Sequence, residues 1–187
     1  MPPRSDGRQR ARPPEATVRP EEPADFEEVR RTVQLAFGRV NEADLVERLR
    51  DSDYYVPELA LVAERDGEIV GHVMLTYVEL RGSESSLAVL SLAPLSVRPD
   101  AQQEGVGAAL VERALARAEA RREPLVVVLG HPRYYTRFGF EPARPHGIEP
   151  PPPGVPDEVW LVRLLPGYDG RQRGQVVYPP AFDGWSG

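Results

Sequence analysis

The chain has 187 residues, a length that suits one domain with a core of its own, and a net charge of −6, which argues against broad nucleic-acid binding. It contains no cysteine, which excludes disulfides, thiolate zinc sites and a cysteine-borne acyl intermediate. All 23 basic residues are arginine, so a lysine Schiff base and a P-loop lysine are excluded as well.

In chain order, residues 1–15 form a Pro/Arg-rich stretch without an apolar segment, expected to be a disordered arm and to carry no secretory signal. Residues 1–16 hold four arginines against Asp6 and Glu15, a balance of +2, so the remainder stands at −8. A single domain over 16–187 is expected to follow. No run approaches the roughly 18 apolar residues of a membrane span, and the expected location is the cytoplasm, with no membrane partner.

ATVRP, from Ala16, reads as a short edge strand ended by Pro20. Phe26, Val29, Val33 and Phe37 recur at helical spacing, with Asp25 placed to cap and Gly38 to stop the helix. A second helix is predicted over 42–50, with Leu45, Val46 and Leu49 facing inward. Two apolar runs then meet at Asp66-Gly67, the signal of a tight hairpin turn. Residues 86–97 read as a further strand in which Pro94 demands a bulge or a loss of pairing.

The next segment, QQEGVGA, sits between that strand and an amphipathic helix with Val106, Leu110, Ala114 and Ala118 on one face. A helix N-terminus exposes unpaired N–H groups and binds anions, and glycines there admit a phosphate to bare main chain. The same glycines equally serve to close the turn, so the residues alone leave both readings open. G-x-x-x-x-G-K-[ST] is absent, and G-x-G-x-x-G fails because Leu110 holds its last position. PLVVVLG, residues 124–130, reads as a strand buried on both faces, which completes a β-α-β unit. After YYTRFGF and a proline-rich loop, VWLVRLL and GQVVYP read as closing, antiparallel strands.

Gln102-Gln103-Glu104-Gly105-Val106-Gly107 fits the [Q/R]-x-x-G-x-[G/A] motif of the GCN5-related N-acetyltransferases (GNAT), and YYTRFGF resembles that family's Y-x-x-x-G-F segment. The order of elements matches over about residues 16–180, and several segments look like its YhbS-type branch. The resemblance implies an α/β fold of the α+β kind, with a mixed, mostly antiparallel sheet flanked by helices and splayed strands forming an acyl-CoA cleft. It implies an N-acetyltransferase that moves the acetyl group of acetyl-CoA, as co-substrate and without a metal, to a primary amine of a small molecule or peptide. In that scheme Leu95, Ser96 and Val97 pair with the pantetheine arm. The main chain of Gln102, Gln103, Glu104, Gly105, Val106, Gly107 and Ala108 holds the pyrophosphate. An N–H near Val97 faces the oxyanion, and Tyr135 protonates the departing thiolate. Glu79, His72, His131 or water stand as general base. Two alternatives go with the resemblance: a non-catalytic acyl-CoA sensor, and a homodimer built through the closing strands.

Overall fold

The computed structural model describes residues 15–151 and 155–184; the arm expected over 1–15 lies outside the described residues apart from its last position. The first strand, β1 (Thr17–Pro20), pairs antiparallel with β2 (Ala60–Arg65), and β2 with β3 (Glu68–Arg81) through the predicted turn, where Asp66 and Gly67 have φ of 55° and 81°. Between β1 and β2 lie α1 (Phe26–Phe37) and α2 (Asn41–Arg50). Val29 and Val33 of α1 are fully buried, as the spacing requires, whereas Phe37 is 39% exposed because the last turn runs past the sheet and Gly38 ends it in the left-handed conformation. Asp25 differs from expectation. Its carboxylate is taken by the Arg19 guanidinium and the Glu22 N–H, so it closes the short turn ahead of α1 and caps no N–H of α1.

The long strand β4 (Ser86–Val97) pairs antiparallel with β3, and the register slips between Val73 and Leu75, opposite Ala93-Pro94, the position at which proline was expected to disturb pairing. The Ala93–Pro94 peptide is cis. Then comes α3 (Val106–Ala120), whose predicted stripe of Val106, Leu110, Ala114 and Ala118 is buried, and β5 (Leu125–Leu129) returns parallel to β4. That parallel pairing is confined to Leu90–Val126 and Ser91–Val127. Beyond Ser91 the two strands part, which leaves a splay between residues 92–97 of β4 and the end of β5.

The short α4 (Pro132–Tyr135) follows β5, and β6 (Glu141–Pro142) and β7 (Ile148–Glu149) are two-residue strands. The closing strands β8 (Trp160–Leu164) and β9 (Gly174–Val177) do not pair with each other. β8 lies antiparallel to β5, with Trp160 fully buried, while β9 crosses back to β3 at Glu79–Arg81 and also pairs with β7. The sheet order β1-β2-β3-β4-β5-β8-β6 therefore contains a single parallel pair on its main path. Helix α3 covers one face, packing on Val73, Leu75, Leu90 and Leu92. The other face carries α1 and α2 over Val62 and Met74, with Phe182 from the C-terminal segment beside them. Among the described residues no helix is long and apolar enough to cross a membrane.

Candidate active site

A cleft of about 620 Å³ opens on the α3 side of the splay, lined by Leu95, Val97, Gln102, Gln103, Gly105, Gly107, Ala108, Tyr134 and Arg137. Seven of the ten positions predicted for cofactor contact thus meet in one place. Backbone direction explains the edge. The Arg98 N–H donates to Val70 O on β3, so by alternation the Leu95 and Val97 backbone groups point away from β3, toward the side where β5 has withdrawn. The Gln102 side-chain amide donates to Val97 O, which ties the glycine turn to the end of β4.

The turn itself presents main chain. Gln103 and Gly105 have φ of 63° and 89°, both left-handed, a conformation that turns successive N–H groups to one side. The first helical hydrogen bond runs from Ala109 N–H to Gly105 O, so the N–H groups of Val106, Gly107 and Ala108 have no partner within the helix. A Cβ on Gly105 would meet nothing within 4 Å, which leaves open space over the turn. At Gly107 a Cβ would lie 2.5 Å from the Tyr134 hydroxyl. Gly107 is therefore bare for two reasons, the approach of Tyr134 and the access to the turn.

Three predicted positions contribute no side chain to the lining. Val106 packs in the core, Ser96 is buried on the opposite face with its hydroxyl on His72 O, and the Glu104 carboxylate is drawn to the Arg65 guanidinium on β2. The Arg65 pairing settles how an acid tolerates a place in the turn: its charge is met on the far side. Conversely, Tyr134 and Arg137 line the cleft and were not singled out as cofactor contacts. The Arg137 guanidinium lies 4.2 Å over the Tyr134 ring and brings the cleft a positive charge. The sequence signal was the three-residue spacing within YYTRFGF, which puts 134 and 137 on one side of a helical turn.

The two tyrosines face different ways, and Tyr135, the predicted thiolate donor, belongs to the core and is not among the residues lining the cleft. Tyr134 reaches the glycine turn, whereas the buried Tyr135 packs its ring on Gly130, at the end of β5 where the strands have parted. Its ring meets Tyr134 and Phe140 edge-on, with centroids 5.0 and 5.5 Å away. Burial pushes the Tyr135 phenol well above its ordinary value, so it is protonated at neutral pH.

None of the three side chains considered as general base lines this cleft. His72 is fully buried, its Nε2 3.0 Å from the Glu21 carboxylate, which also accepts from Arg50 Nε and Nη2 at 2.9 and 2.7 Å and from the Tyr55 hydroxyl at 2.9 Å. Glu79 is held by Arg81 and the Ser86 hydroxyl at the end of β3 away from the splay, and His131 is exposed ahead of α4. Among the described residues no group of three or more His, Asp or Glu is placed to hold a metal. A larger cleft of about 800 Å³ lies against α1, but Glu28 and Thr32 there are bonded to Ile69 and Arg98 to Glu68 and Asp100, which leaves little free to bind.

Comparison with known proteins agrees with this arrangement. A model of the acetyltransferase (GNAT) domain matches residues 17–143. The chain is 35% identical over 145 residues to the uncharacterized N-acetyltransferase YjhQ of Escherichia coli K12, covering 76% of this chain and 80% of that one. It is 30% identical over 167 residues to the uncharacterized N-acetyltransferase YhbS of the same organism, covering 89% and 98%. The crystal structure of E. coli YhbS in complex with CoA superposes with a TM-score of 0.83 at 29% identity, covering 92% of this chain and 94% of that one. A GNAT acetyltransferase from Brucella melitensis in complex with acetyl-CoA superposes at 0.73, also at 29% identity, covering 90% and 98%. With the sheet, the splay and the glycine turn in the expected order, the chain belongs to the GNAT family of N-acetyltransferases and is an acyltransferase.

Proposed function

We propose that the protein transfers the acetyl group of acetyl-CoA to the primary amine of a small molecule or peptide by direct attack. The observation that carries this reading is the continuity of one cleft, from the bare glycine turn along the free edge of β4 to the splay. The residues fit the co-substrate: a diphosphate needs N–H donors without intervening side chains, and the N–H groups of Val106, Gly107 and Ala108, with open space at Gly105, provide them. Arg137 adds charge where a P-loop protein would use lysine. Leu95 and Val97 offer strand-edge hydrogen bonds to an amide-bearing arm, as an added strand would use them.

When bound, acetyl-CoA supplies an activated acyl carbon whose leaving group is a thiolate. Leu95 and Val97 fix the direction in which the arm runs, so that the acyl carbon comes to lie where β4 and β5 separate. The outward N–H near Val97 faces the oxygen on which charge develops. Tyr135, kept neutral by burial at the end of β5, donates its proton to the sulfur. With no carboxylate or imidazole lining the cleft, water takes the proton of the amine.

Thiol release from acetyl-CoA, followed with a panel of primary amines and with no amine, tests the reading. Transfer predicts release that depends on the amine and matches the acetylated product mole for mole. Binding of acetyl-CoA without amine-dependent release from any member of the panel contradicts it and makes the protein a sensor of the co-substrate.

A further inference from the structure

The face of the splay opposite the glycine turn carries a cluster of hydroxyls that the scheme above does not use. Ser91 is the last residue of β4 paired to β5, and its Oγ lies 3.0 Å from the Tyr178 Oη. Tyr178 follows β9, which runs along the far side of β3, so the phenol reaches across β3 to get there. Directly opposite Ser91 in the β3–β4 register is Thr76, on the same face, which places their Cβ atoms roughly 5 Å apart. Thr76 and Ser91 are fully buried, and Thr76 Oγ1 has no hydrogen-bond partner among the described residues. An orphaned hydroxyl beside a bonded pair is costly in a core, and such a group asks for a ligand or an ordered water.

Among the described residues, neighbouring charged side chains are held elsewhere: on α1, Glu28 accepts from the Ile69 N–H and Arg30 pairs with Asp44. β4 and β5 contain no charged residue. On β3, His72 is held by Glu21, and Glu79 by Arg81. From α2, Arg48 bonds Ala181 O and Arg50 bonds Glu21. Phe182 packs 4.4 Å from the Tyr178 ring, and burial pushes the Tyr178 phenol up to about 12, so it too stays neutral.

We propose that Thr76, Ser91 and Tyr178 form the acceptor end of the active site, which receives the attacking amine as its uncharged free base and turns the nitrogen lone pair toward the splay. This rests on the acetyltransferase reading above. Tyr178, partly exposed at the end of the cluster, accepts a hydrogen bond from the amine while Ser91, as a positioning residue, holds its hydroxyl, and the unpartnered Thr76 Oγ1 takes a second hydrogen bond from the amine. In the step, the nitrogen bonds the acyl carbon and the carbon–sulfur bond breaks. Sulfur takes the Tyr135 proton, the surplus amine proton goes to bulk water, and Tyr135 is refilled from water. Built from three neutral hydroxyls rather than a carboxylate that would hold an ammonium ion, the site favours weakly basic amines, of aryl or aminoacyl type, over polyamines.

The test compares wild type, Tyr178→Phe and Thr76→Val with a series of primary amines from aniline to propylamine, reading both KM values, the pH profile and Tm. Loss of one hydrogen bond predicts an amine KM raised about 3–10-fold in each variant, with the KM for acetyl-CoA unchanged. Thr76→Val, which replaces an unpartnered hydroxyl by a methyl, leaves Tm unchanged or higher. In wild type the rising limb of kcat/KM follows the pKa of each amine. Unchanged amine KM in both variants, or a rising limb at one fixed pH for all amines, overturns the proposal while transfer itself stands. Should Tyr178→Phe lower Tm, Thr76→Val decides alone. Wild type that binds acetyl-CoA but acetylates no amine withdraws the transfer reading and this inference together.

Discussion

Tyr135→Phe is expected to lower kcat for acetyl transfer by about 10²–10⁴-fold, the range that a positioned general acid contributes. The ring stays, so its contacts with Gly130, Tyr134 and Phe140 persist and the fold at the end of β5 is retained. Only the donor is removed. The KM for acetyl-CoA is expected to hold, because the proposed binding rests on the glycine turn and the β4 edge. Tyr134→Phe is the informative companion. Its hydroxyl sits over Gly107 in the cleft, so its loss moves acetyl-CoA affinity and leaves kcat near wild type. Steady-state rates for both variants check the division: equal losses of kcat would contradict it, as would a Tyr135→Phe enzyme as fast as wild type.

The second large effect concerns stability. Glu21→Ala strands the Arg50 guanidinium, only 6% exposed, together with the fully buried His72, and breaking a buried charge network in this way costs about 3–5 kcal/mol. For a chain of this length that lowers Tm by roughly 6–20 °C. The value measures the cost of leaving charge unpaired, not the worth of the cluster relative to an apolar core. The pH dependence has a definite sign. Burial alone pushes the Glu21 carboxyl up, but hydrogen bonds from His72 and Arg50 outweigh it and bring it from the ordinary 4.5 down to about 2. A depressed carboxyl contributes stability above its unfolded value and loses it as pH falls through the folded one. About 3 kcal/mol is therefore lost between pH 4.5 and 2. Thermal unfolding of wild type and Glu21→Gln across that window shows it: the wild-type Tm falls more steeply, and parallel curves would contradict the assignment.

Legibility in the sequence followed the range of the interactions. Asp66-Gly67, Pro94 and the glycine turn announced themselves because each is a local backbone requirement met by neighbouring residues. The helices were legible from periodicity, except where Phe37 runs beyond the sheet it was expected to meet. Contacts between distant residues were hidden. Glu21, Arg50 and His72 come from a strand end, a helix end and another strand, and nothing in their own neighbourhoods marks them as partners. The meeting of Ser91 with Tyr178 depends on β9 returning to β3, a topology that two apolar runs near the C-terminus do not disclose. YYTRFGF was legible as a segment that holds two adjacent tyrosines. Which one approaches Gly107 depended on the angle at which α4 leaves β5.

The most direct test of the glycine turn as the diphosphate site is a thermal-shift titration with acetyl-CoA of wild type, Gly107→Val and Gly107→Val combined with Tyr134→Ala. Ligand at 100 times its Kd adds about 2.7 kcal/mol, or roughly 5–10 °C here. That shift is expected for wild type and none for either variant, since the double variant relieves the crowding by Tyr134 yet keeps methyl groups over the turn. An unshifted wild type at millimolar acetyl-CoA, or a full shift in Gly107→Val, would contradict it.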